Sequence, residues 1–371
     1  MYKVMHKDKV IAKANDDSIT EIIIPDLCPA CFCKGMDLEF WLKSRSVDVH
    51  RSHSRQLYKA LRLKTDSELS EIINIGHGIS ITDNWWIQCE DEQLDYYSLK
   101  EYNEDIARIA FSGSSNKDLV IKGYTELGTL GSYEKAWRFI NDDWYMFKRE
   151  NQAELISEYY SYCFLKQMNV PVAEYKVQRT RSELGLTEEC IITKDFTENC
   201  RFDFEPFLNY FYDNEDHEFI VSKLKSIETE HNVDGLADSY ICMCFYDALL
   251  FNVDRHNVNV GFLRDSETGK IVSLAPCYDY NLALGATKTP RFNKTGDLMK
   301  YFTASKSCMD RIASFLPSRS DIQSCLKEAT AMTQEVFPNI DFEYSIFEAY
   351  ILSAYDYCAE MISENTQLNT N

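Results

Sequence analysis

The stretch LLFNVDRHNVNVGFL, residues 249–263, constrains the fold most. It places several polar residues between two apolar segments. The preceding segment, GLADSYICMCFYDALLF (235–251), carries apolar residues on nearly every face, which is the pattern of a buried helix. Polar side chains at the end of a core helix must be hydrogen bonded or must bind something, since leaving them unpaired costs free energy. We therefore predict that residues 252–259 form a buried functional loop.

A further carboxylate follows this loop. The hairpin sequence NVGFLRDSETGKIVSLAP leads to LAPCYDYNLAL, in which Asp279 lies among apolar neighbours. Asp254, Asn259 and Asp279 supply two carboxylates and one amide oxygen, which are hard ligands. This set suits Mg²⁺, which takes few protein ligands and leaves room for phosphates. The sequence therefore predicts a magnesium site used in phosphoryl transfer.

Phosphoryl transfer also requires a loop that binds phosphates. The segment ELGTLGSYEKAW (126–137) places Gly128 and Gly131 between strand signals, where backbone amides can approach phosphate oxygens. On their own, two glycines indicate no more than a turn. The segment becomes informative only together with a cation that can contact the nucleotide.

That cation is Lys148, at the end of the alternating strand sequence WYMFKRE. The helix that follows contains two acids, and the helical period predicts that Glu158 shares the apolar face while Glu154 points outward. A buried carboxylate costs several kcal/mol unless it is paired. Lys148 is the expected partner of Glu158, as in the strand-lysine and helix-glutamate pair of a kinase fold. The alternative is an incidental surface ion pair.

Together these elements resemble the HipA-like Ser/Thr kinases, the toxin kinases of bacterial persistence systems. GSYEK resembles the family's Gly-rich phosphate loop, NVDRHNVN its catalytic loop and APCYDY its metal-binding Tyr-Asp motif. ISEYYSYCFLKQMNVPV resembles its αC helix and the turn after it, with Asn169 in place of a glycine. The four elements cover about residues 110–290 in the family's order, whereas residues 1–105 do not resemble the N-terminal domain of the best-known members.

The resemblance implies roles for the residues that match. Asp254 is expected to act as a base or to orient the substrate hydroxyl, with Asn259 and Asp279 holding Mg²⁺. Lys148, held by Glu158, is expected to contact the α and β phosphates of ATP.

The remaining ATP contacts are expected from the phosphate loop and from a hinge, IITKDF, whose backbone near Lys194 binds adenine and whose Phe196 lines the pocket. His256 belongs to the catalytic loop. For His256 and Arg255 a structural role is favoured over proton transfer, because the kinase mechanism needs no second base. The phosphate-loop residues expected to cover the ATP phosphates are Gly128, Gly131, Ser132 and Lys135.

The order of strand and helix signals predicts an α+β, two-lobed protein-kinase-like fold. Residues 1–105 are predicted to form an N-terminal accessory module, 106–200 a β-rich N-lobe and 201–371 a helical C-lobe.

Composition limits the partners. The formal charge of −20, from 59 acidic and 39 basic residues, argues against direct nucleic-acid binding. The chain has no apolar run long enough for a membrane span and no signal-peptide pattern at its start, so we predict a cytoplasmic protein with no membrane partner. The expected partners are a protein substrate with a Ser or Thr hydroxyl and an antitoxin.

The 13 cysteines lack regular spacing and are predicted to be reduced core thiols. CPACFC and HRSH place a Cys-x2-Cys pair near a His-x2-His pair, which raises the alternative of a zinc site. The histidine spacing is shorter than zinc sites use, and the sequence between the pairs has the pattern of an amphipathic helix. Core cysteines and surface histidines are therefore favoured.

Two other functions stay open. The same Asp-Arg-His spacing, with Asn five residues after the Asp, occurs in phosphoinositide kinases, although their Asp-Phe-Gly metal motif is absent from this sequence. The chain could instead be a nucleotide-binding pseudokinase that recruits a partner through its N-terminal module. The presence of every catalytic residue type ranks that alternative lower.

Overall fold

The computed structural model describes residues 1–15, 18–36, 38–45, 52–61, 76–114, 133–181, 187–286, 306–340 and 342–368. The predicted α+β fold is confirmed. The chain forms two compact units. The first unit consists of Met1–Glu150, Gln178–Tyr210 and Phe262–Val272, and the second of Asn151–Val177, Phe211–Gly261 and Ser273–Asn371. This grouping differs from the three predicted stretches, whose boundaries stay a prediction.

The first unit begins with an antiparallel sheet of order β3-β2-β1-β4. The predicted N-terminal hairpin is present as its first two strands. Cys28 and Cys31 lie in the core beside this sheet, as predicted, and the described residues contain no cluster of three or more His, Cys, Asp or Glu side chains placed to hold a metal ion. The strands are β1 (Tyr2–His6), β2 (Lys9–Ala14), β3 (Ile19–Ile22) and β4 (Trp85–Cys89), and the helices near them in sequence are α1 (Ala30–Cys33), α2 (Leu38–Lys43), α3 (Ser54–Ala60), α4 (Tyr96–Leu99) and α5 (Glu104–Ser112).

A second sheet has the order β5-β6-β8-β7. Its strands are β5 (Glu134–Ile140), β6 (Asp143–Arg149), β7 (Tyr175–Arg181) and β8 (Thr187–Lys194). Helix α5 covers one face, where Ala107 and Phe111 pack with Ala136, Phe147 and Ile192. Because side chains alternate between faces along a strand, the residues next to these in sequence point to the other face.

The third sheet, of order β11-β10-β9, ties the N-terminal residues to a distant part of the chain. Its strands are β9 (Phe202–Pro206), β10 (Gly261–Asp265) and β11 (Ile271–Leu274). The buried guanidinium of Arg264 on β10 pairs with Glu205 on β9 and donates to the carbonyl oxygens of Cys28 and Asp26. The predicted hairpin after the polar loop 252–259 therefore packs with the N-terminal residues.

The second unit is mainly helical. Its helix α9 is buried over most of its length, as predicted from the apolar pattern of residues 235–251. In the part of the chain that the structure describes, no helix has the length and apolar character needed to cross a membrane. The helices are α6 (Gln152–Gln167), α7 (Leu208–Phe211) at the boundary between the units, α8 (His217–His231), α9 (Leu236–Leu249), α10 (Lys306–Phe315), α11 (Arg319–Val336) and α12 (Tyr344–Leu368).

Candidate functional site

Arg255 organises the polar loop that follows α9. Its buried guanidinium makes a bidentate ion pair with Asp247 on the helix, with Nε 2.8 Å from Oδ2 and Nη2 3.2 Å from Oδ1. Its Nη1 donates to the carbonyl oxygen of Tyr278 at 2.9 Å and to that of Asn259. One guanidinium therefore holds the loop residue Asn259 beside the residue that precedes Asp279, and the structural role predicted for Arg255 is confirmed.

Hydrogen bonds of ordinary length fix the two ends of the loop. The amide Nδ2 of Asn252 donates to Asp247 at 3.0 Å, and its Oδ1 accepts from the backbone N–H of Asp254 at 3.2 Å. At the other end, Nδ2 of Asn259 donates to the carbonyl oxygen of Asp254 at 2.9 Å. The structure therefore brings Asp254 and Asn259 together, as the catalytic-loop pattern predicts.

His256 lies within the loop and accepts a bond from it. Its Nδ1 is 3.2 Å from the backbone nitrogen of Val258, and its carbonyl oxygen accepts from the N–H of Asn259 at 2.8 Å. Both bonds shape the turn, which agrees with the structural role favoured for this residue. The buried side chain of Asn257 attaches the loop to the start of the helical segment by donating to the carbonyl oxygens of Tyr212 and Asn214.

The Tyr-Asp-Tyr segment is joined to the same loop and to α6. The hydroxyl of Tyr278 donates to the carbonyl oxygen of Val258 at 2.8 Å. Asp279 has a left-handed backbone, with φ of 62°, and its N–H donates to the hydroxyl oxygen of Tyr175 at 3.1 Å. A left-handed backbone is uncommon for a residue other than glycine and persists where the surrounding contacts fix it.

Glu158 and Tyr175 are the link between α6 and this segment. Glu158 is 2 % exposed, which confirms that it faces inward, and its Oε1 accepts from the backbone N–H of Tyr280 at 3.4 Å. Burial raises the pKa of Tyr175 well above its ordinary value, and the adjacent Glu158 carboxylate raises it further, so the hydroxyl stays a donor to that carboxylate. Sequence reasoning missed Tyr175, because its pattern in VPVAEYKV is that of an ordinary strand residue.

The outward orientation predicted for Glu154 is wrong. This residue is 6 % exposed and forms a capping box with Asn151, in which each side chain accepts from the other's backbone N–H. The periodicity argument failed because α6 is buried on nearly every face, so it has no outward side at this turn. Burial therefore does not distinguish Glu154 from Glu158, whereas their partners do.

Lys148 and Lys135 lie in the second sheet of the first unit. They are directly opposite each other on β6 and β5, so both point to the sheet face opposite the one that α5 covers. The Nζ of Lys148 is 2.7 Å from Oε1 of Glu150 and 5.0 Å from the ring centre of Tyr133. Sequence reasoning did not identify Glu150 as a partner. The predicted pair of Lys148 with Glu158 joins different units and stays a prediction.

The hinge segment follows β8. Lys194 is opposite Tyr145 and therefore lies on the α5 face, where its Nζ pairs with Asp143 at 2.8 Å. The side chain of Lys194 thus points away from the Lys148 face, which leaves only its backbone for the predicted adenine contact. Phe196 packs edge-on against Phe204, with ring centres 5.6 Å apart. The predicted phosphate-loop residues Gly128, Gly131 and Ser132 lie outside the described residues.

The donor set in the second unit fits a hard divalent cation. Because Nδ2 of Asn259 is committed to the carbonyl of Asp254, the amide oxygen is the atom turned away from that bond. Asp279 adds an anionic oxygen on a segment that Arg255 holds beside Asn259. One carboxylate and one amide oxygen are a typical Mg²⁺ set when the remaining ligands are phosphates and water.

Comparison with known proteins identifies the fold. No family model and no curated protein matches the chain. Among solved structures, the chain resembles the Helicobacter pylori proinflammatory kinase CtkA, at 18 % identity and a TM-score of 0.44, over 63 % of this chain and 95 % of that one. It also resembles HipA from Shewanella oneidensis MR-1, solved with HipB and operator DNA, at 11 % identity and a TM-score of 0.57, over 98 % of this chain and 99 % of that one. The likeness to HipA over nearly the whole chain shows a HipA-like fold.

Proposed function

We propose that the chain is an ATP-dependent Ser/Thr protein kinase of the HipA-like type, which transfers the γ-phosphate of ATP to a protein hydroxyl. The observation that supports this most is the position of the Arg255 guanidinium. By donating to the carbonyl oxygens of Asn259 and Tyr278, it joins the backbone of one proposed metal ligand, Asn259, to the residue that precedes the other, Asp279. Asp254, bonded to Asn259, completes the set of polar groups that phosphoryl transfer needs.

Each residue of the loop has one task in this proposal. Asp254 accepts or orients the proton of the substrate hydroxyl, and the bond from Asn252 to its backbone holds it in place. Asn259 and Asp279 hold Mg²⁺, which when bound neutralises charge on the ATP phosphates. His256 shapes the turn and transfers no proton.

The nucleotide contacts come from the first unit. Lys148 contacts the α and β phosphates, with its ammonium oriented by carboxylates, and the opposing Lys135 adds positive charge on the same sheet face. Two cations directly opposite each other on a sheet repel one another. An anion bound at this face would offset that repulsion. The loop residues Gly128, Gly131 and Ser132, the backbone near Lys194 and the ring of Phe196 are proposed to complete the ATP site.

A toxin role and an antitoxin partner are part of the proposal. The similar HipA structure contains HipB and operator DNA, which makes a partner protein a reasonable expectation for this chain. The net charge of −20 argues that contact with DNA would be made by such a partner rather than by this chain. We also propose a cytoplasmic location, where ATP and a protein substrate are both present.

The decisive experiment is incubation of the purified protein with radiolabelled ATP and Mg²⁺. Three reactions run in parallel, with the protein alone, with bacterial lysate protein and with phosphoinositide vesicles, and an Asp254→Ala variant serves as the control. Label on protein serine or threonine that the variant does not produce supports the proposal. Label on lipid would instead assign a lipid kinase. Nucleotide binding without any transferred label would assign a pseudokinase.

A further inference from the structure

Lys100 and Cys200, both in the first unit, lie unusually close together. The Nζ atom of Lys100 is 2.7 Å from the Sγ atom of Cys200. Ordinary N–H···O hydrogen bonds span about 2.7–3.2 Å, and sulfur is a larger atom than oxygen. The two atoms are therefore closer than an ordinary hydrogen bond to sulfur requires, and their separation is one that a single bridging oxygen atom would span.

Both atoms are held in place by the same backbone. The ammonium donates to the carbonyl oxygen of Asp83 at 2.6 Å, and the thiol donates to that of Ile81 at 2.7 Å. The Nδ2 atom of Asn84 donates to the carbonyl oxygen of Cys200 at 2.9 Å. The two reactive groups are thus positioned independently of each other by the segment 81–84.

The turn that presents the thiol has an uncommon conformation. Glu198, Asn199 and Cys200 have φ angles of 54°, 56° and 61°, so three successive residues other than glycine are left-handed. Such residues are disfavoured and persist only where their surroundings fix them, often at functional positions. Here the carboxylate of Asp195 fixes the turn by accepting from the backbone N–H groups of Thr197 and Asn199.

The charge of Lys100 is also unusual. Among the residues that the structure describes, no carboxylate lies within ion-pair distance of its Nζ, which bonds two carbonyl oxygens and the thiol and lies 5.4 Å from the ring centre of Tyr96. The nearby Asp83 carboxylate is committed to Arg45. Burial disfavours the ammonium, but Cys200, Tyr96 and Asp83 together raise the pKa of Lys100 above its ordinary value, so the group is charged until a base takes its proton.

We propose that Lys100 and Cys200 are a redox modification site, which a peroxide converts into a covalent N–O–S crosslink. One peroxide molecule oxidises the Cys200 thiol to a sulfenic acid and leaves one water. The Lys100 ammonium loses a proton to solvent, and a second peroxide molecule oxidises the resulting neutral amine to a hydroxylamine and leaves another water. The hydroxylamine oxygen then attacks the sulfenic sulfur, the S–O bond forms, and the sulfenic hydroxyl leaves as a third water. Sulfur and nitrogen each lose two electrons, which the two peroxides accept.

The crosslink joins the N-terminal module to the segment directly after the proposed hinge. Covalent closure of the intervening chain restricts the unfolded state, as a disulfide does. The oxidised protein is therefore expected to melt at a higher temperature than the reduced one. Because Cys200 is only 6 % exposed, the oxidant must be small.

The test is treatment of the purified full-length protein with hydrogen peroxide, followed by mass spectrometry. We expect a joined peptide that contains residues 100 and 200, heavier than the sum of its parts by one oxygen less two hydrogens, and we expect dithiothreitol to remove it. Burial raises the pKa of the Cys200 thiol to about 12, so the thiolate fraction grows with pH. The crosslink should therefore form faster at about pH 9 than at about pH 7.

A Cys33→Ser variant is the matched control, because it removes an exposed cysteine and should still form the crosslink. Lys100→Arg and Cys200→Ser should both abolish the joined peptide. If the wild-type protein gives only sulfenic, sulfinic or disulfide products at Cys200, the proposal is overturned. No kinase assay enters this test, so its result stands independently of the proposed function.

Discussion

Two buried arginines use the same chemistry in different parts of the molecule. Arg255 in the second unit pairs with Asp247, and Arg264 in the first unit pairs with Glu205, with all four side chains at most 6 % exposed. Each guanidinium also donates to backbone carbonyl oxygens of other segments. As structural elements the two arginines are equivalent.

The difference lies in what they hold. Arg255 gathers segments that carry Asp254, Asn259 and Asp279, whereas Arg264 gathers the backbone at Cys28, Asp26 and Gly269. A buried arginine network is therefore evidence of function only through the side chains presented by the segments that it joins.

The largest expected effect is a loss of phosphate transfer from a change in the segments that Arg255 joins. Asp279→Asn should lower phosphate transfer at least ~100-fold, because a neutral amide replaces the anionic oxygen that faces the metal. Asp265→Asn, in the turn beside Arg264, is the matched control and should leave transfer unchanged. Equal activity of the two variants in the radiolabel assay, with normal melting temperatures for both, would contradict a functional difference between the segments at Arg255 and those at Arg264.

Stability should respond similarly on both sides. Arg255→Met and Arg264→Met should each lower the free energy of unfolding by about 3–5 kcal/mol, since each leaves a buried carboxylate unpaired. Adding Asp247→Leu or Glu205→Leu, respectively, should recover part of the loss. Denaturant melts and the transfer assay together check this.

The two double variants, Arg255→Met with Asp247→Leu and Arg264→Met with Glu205→Leu, should differ in phosphate transfer. The double variant at Arg264 and Glu205 should regain phosphate transfer along with stability. The double variant at Arg255 and Asp247 should stay inactive, because the guanidinium bonds to the carbonyl oxygens of Asn259 and Tyr278 are gone. Recovery of transfer in both double variants would show that Arg255 supports folding only.

A smaller effect is expected at the tyrosines. Tyr175→Phe removes the hydroxyl that joins Glu158 to the backbone of Asp279, and a bond to a charged group contributes about 1.5–3 kcal/mol. Transfer should fall roughly tenfold through a lower kcat. Tyr210→Phe, which removes a hydroxyl bonded to Glu205, should affect melting without changing kcat. Equal kcat in both variants would remove Tyr175 from the site.

The smallest effect concerns the two buried glutamates of α6. Glu154→Gln should change little, because glutamine also serves in a capping box, and Glu154→Ala should cost about 1 kcal/mol of stability. Glu158→Gln should instead reduce transfer. A loss of activity in Glu154→Gln would mean that the capping residue also has a role in the site.

The buried polar loop at residues 252–259 was predictable from the sequence, because the apolar helix before it places these residues at the end of a core helix. Asp254 and Asn259 are bonded to each other in this loop and Glu158 is buried, while the roles predicted for the three residues stay predictions. Arg255 was expected to be structural, but its contacts with two separate carbonyl oxygens were not predictable, because backbone acceptors carry no sequence signal.

Other features of the structure were predicted wrongly or missed, each for a physical reason. The outward face of Glu154 was wrong because helical periodicity marks an exposed side only when a helix has one. Tyr175 and Glu150 were missed because both bond through tertiary contacts or close local geometry that composition does not reveal. The packing of the hairpin at Arg264 with the N-terminal residues depends on contacts more than 200 residues apart in sequence.

The first unit is built from three separate segments of the chain, so it can complete its folding only after the last of them has left the ribosome. His6 on β1 is bonded to Asp203, 197 positions later, and Lys7 is bonded to Ser266 and Glu267. At a synthesis rate of about 5–20 residues per second, the first of these partners emerges roughly 10–40 s after His6. During that interval the opening strands have an incomplete set of partners. Nascent chains stopped before Asp203 should therefore be more sensitive to protease at β1 than chains stopped after Glu267.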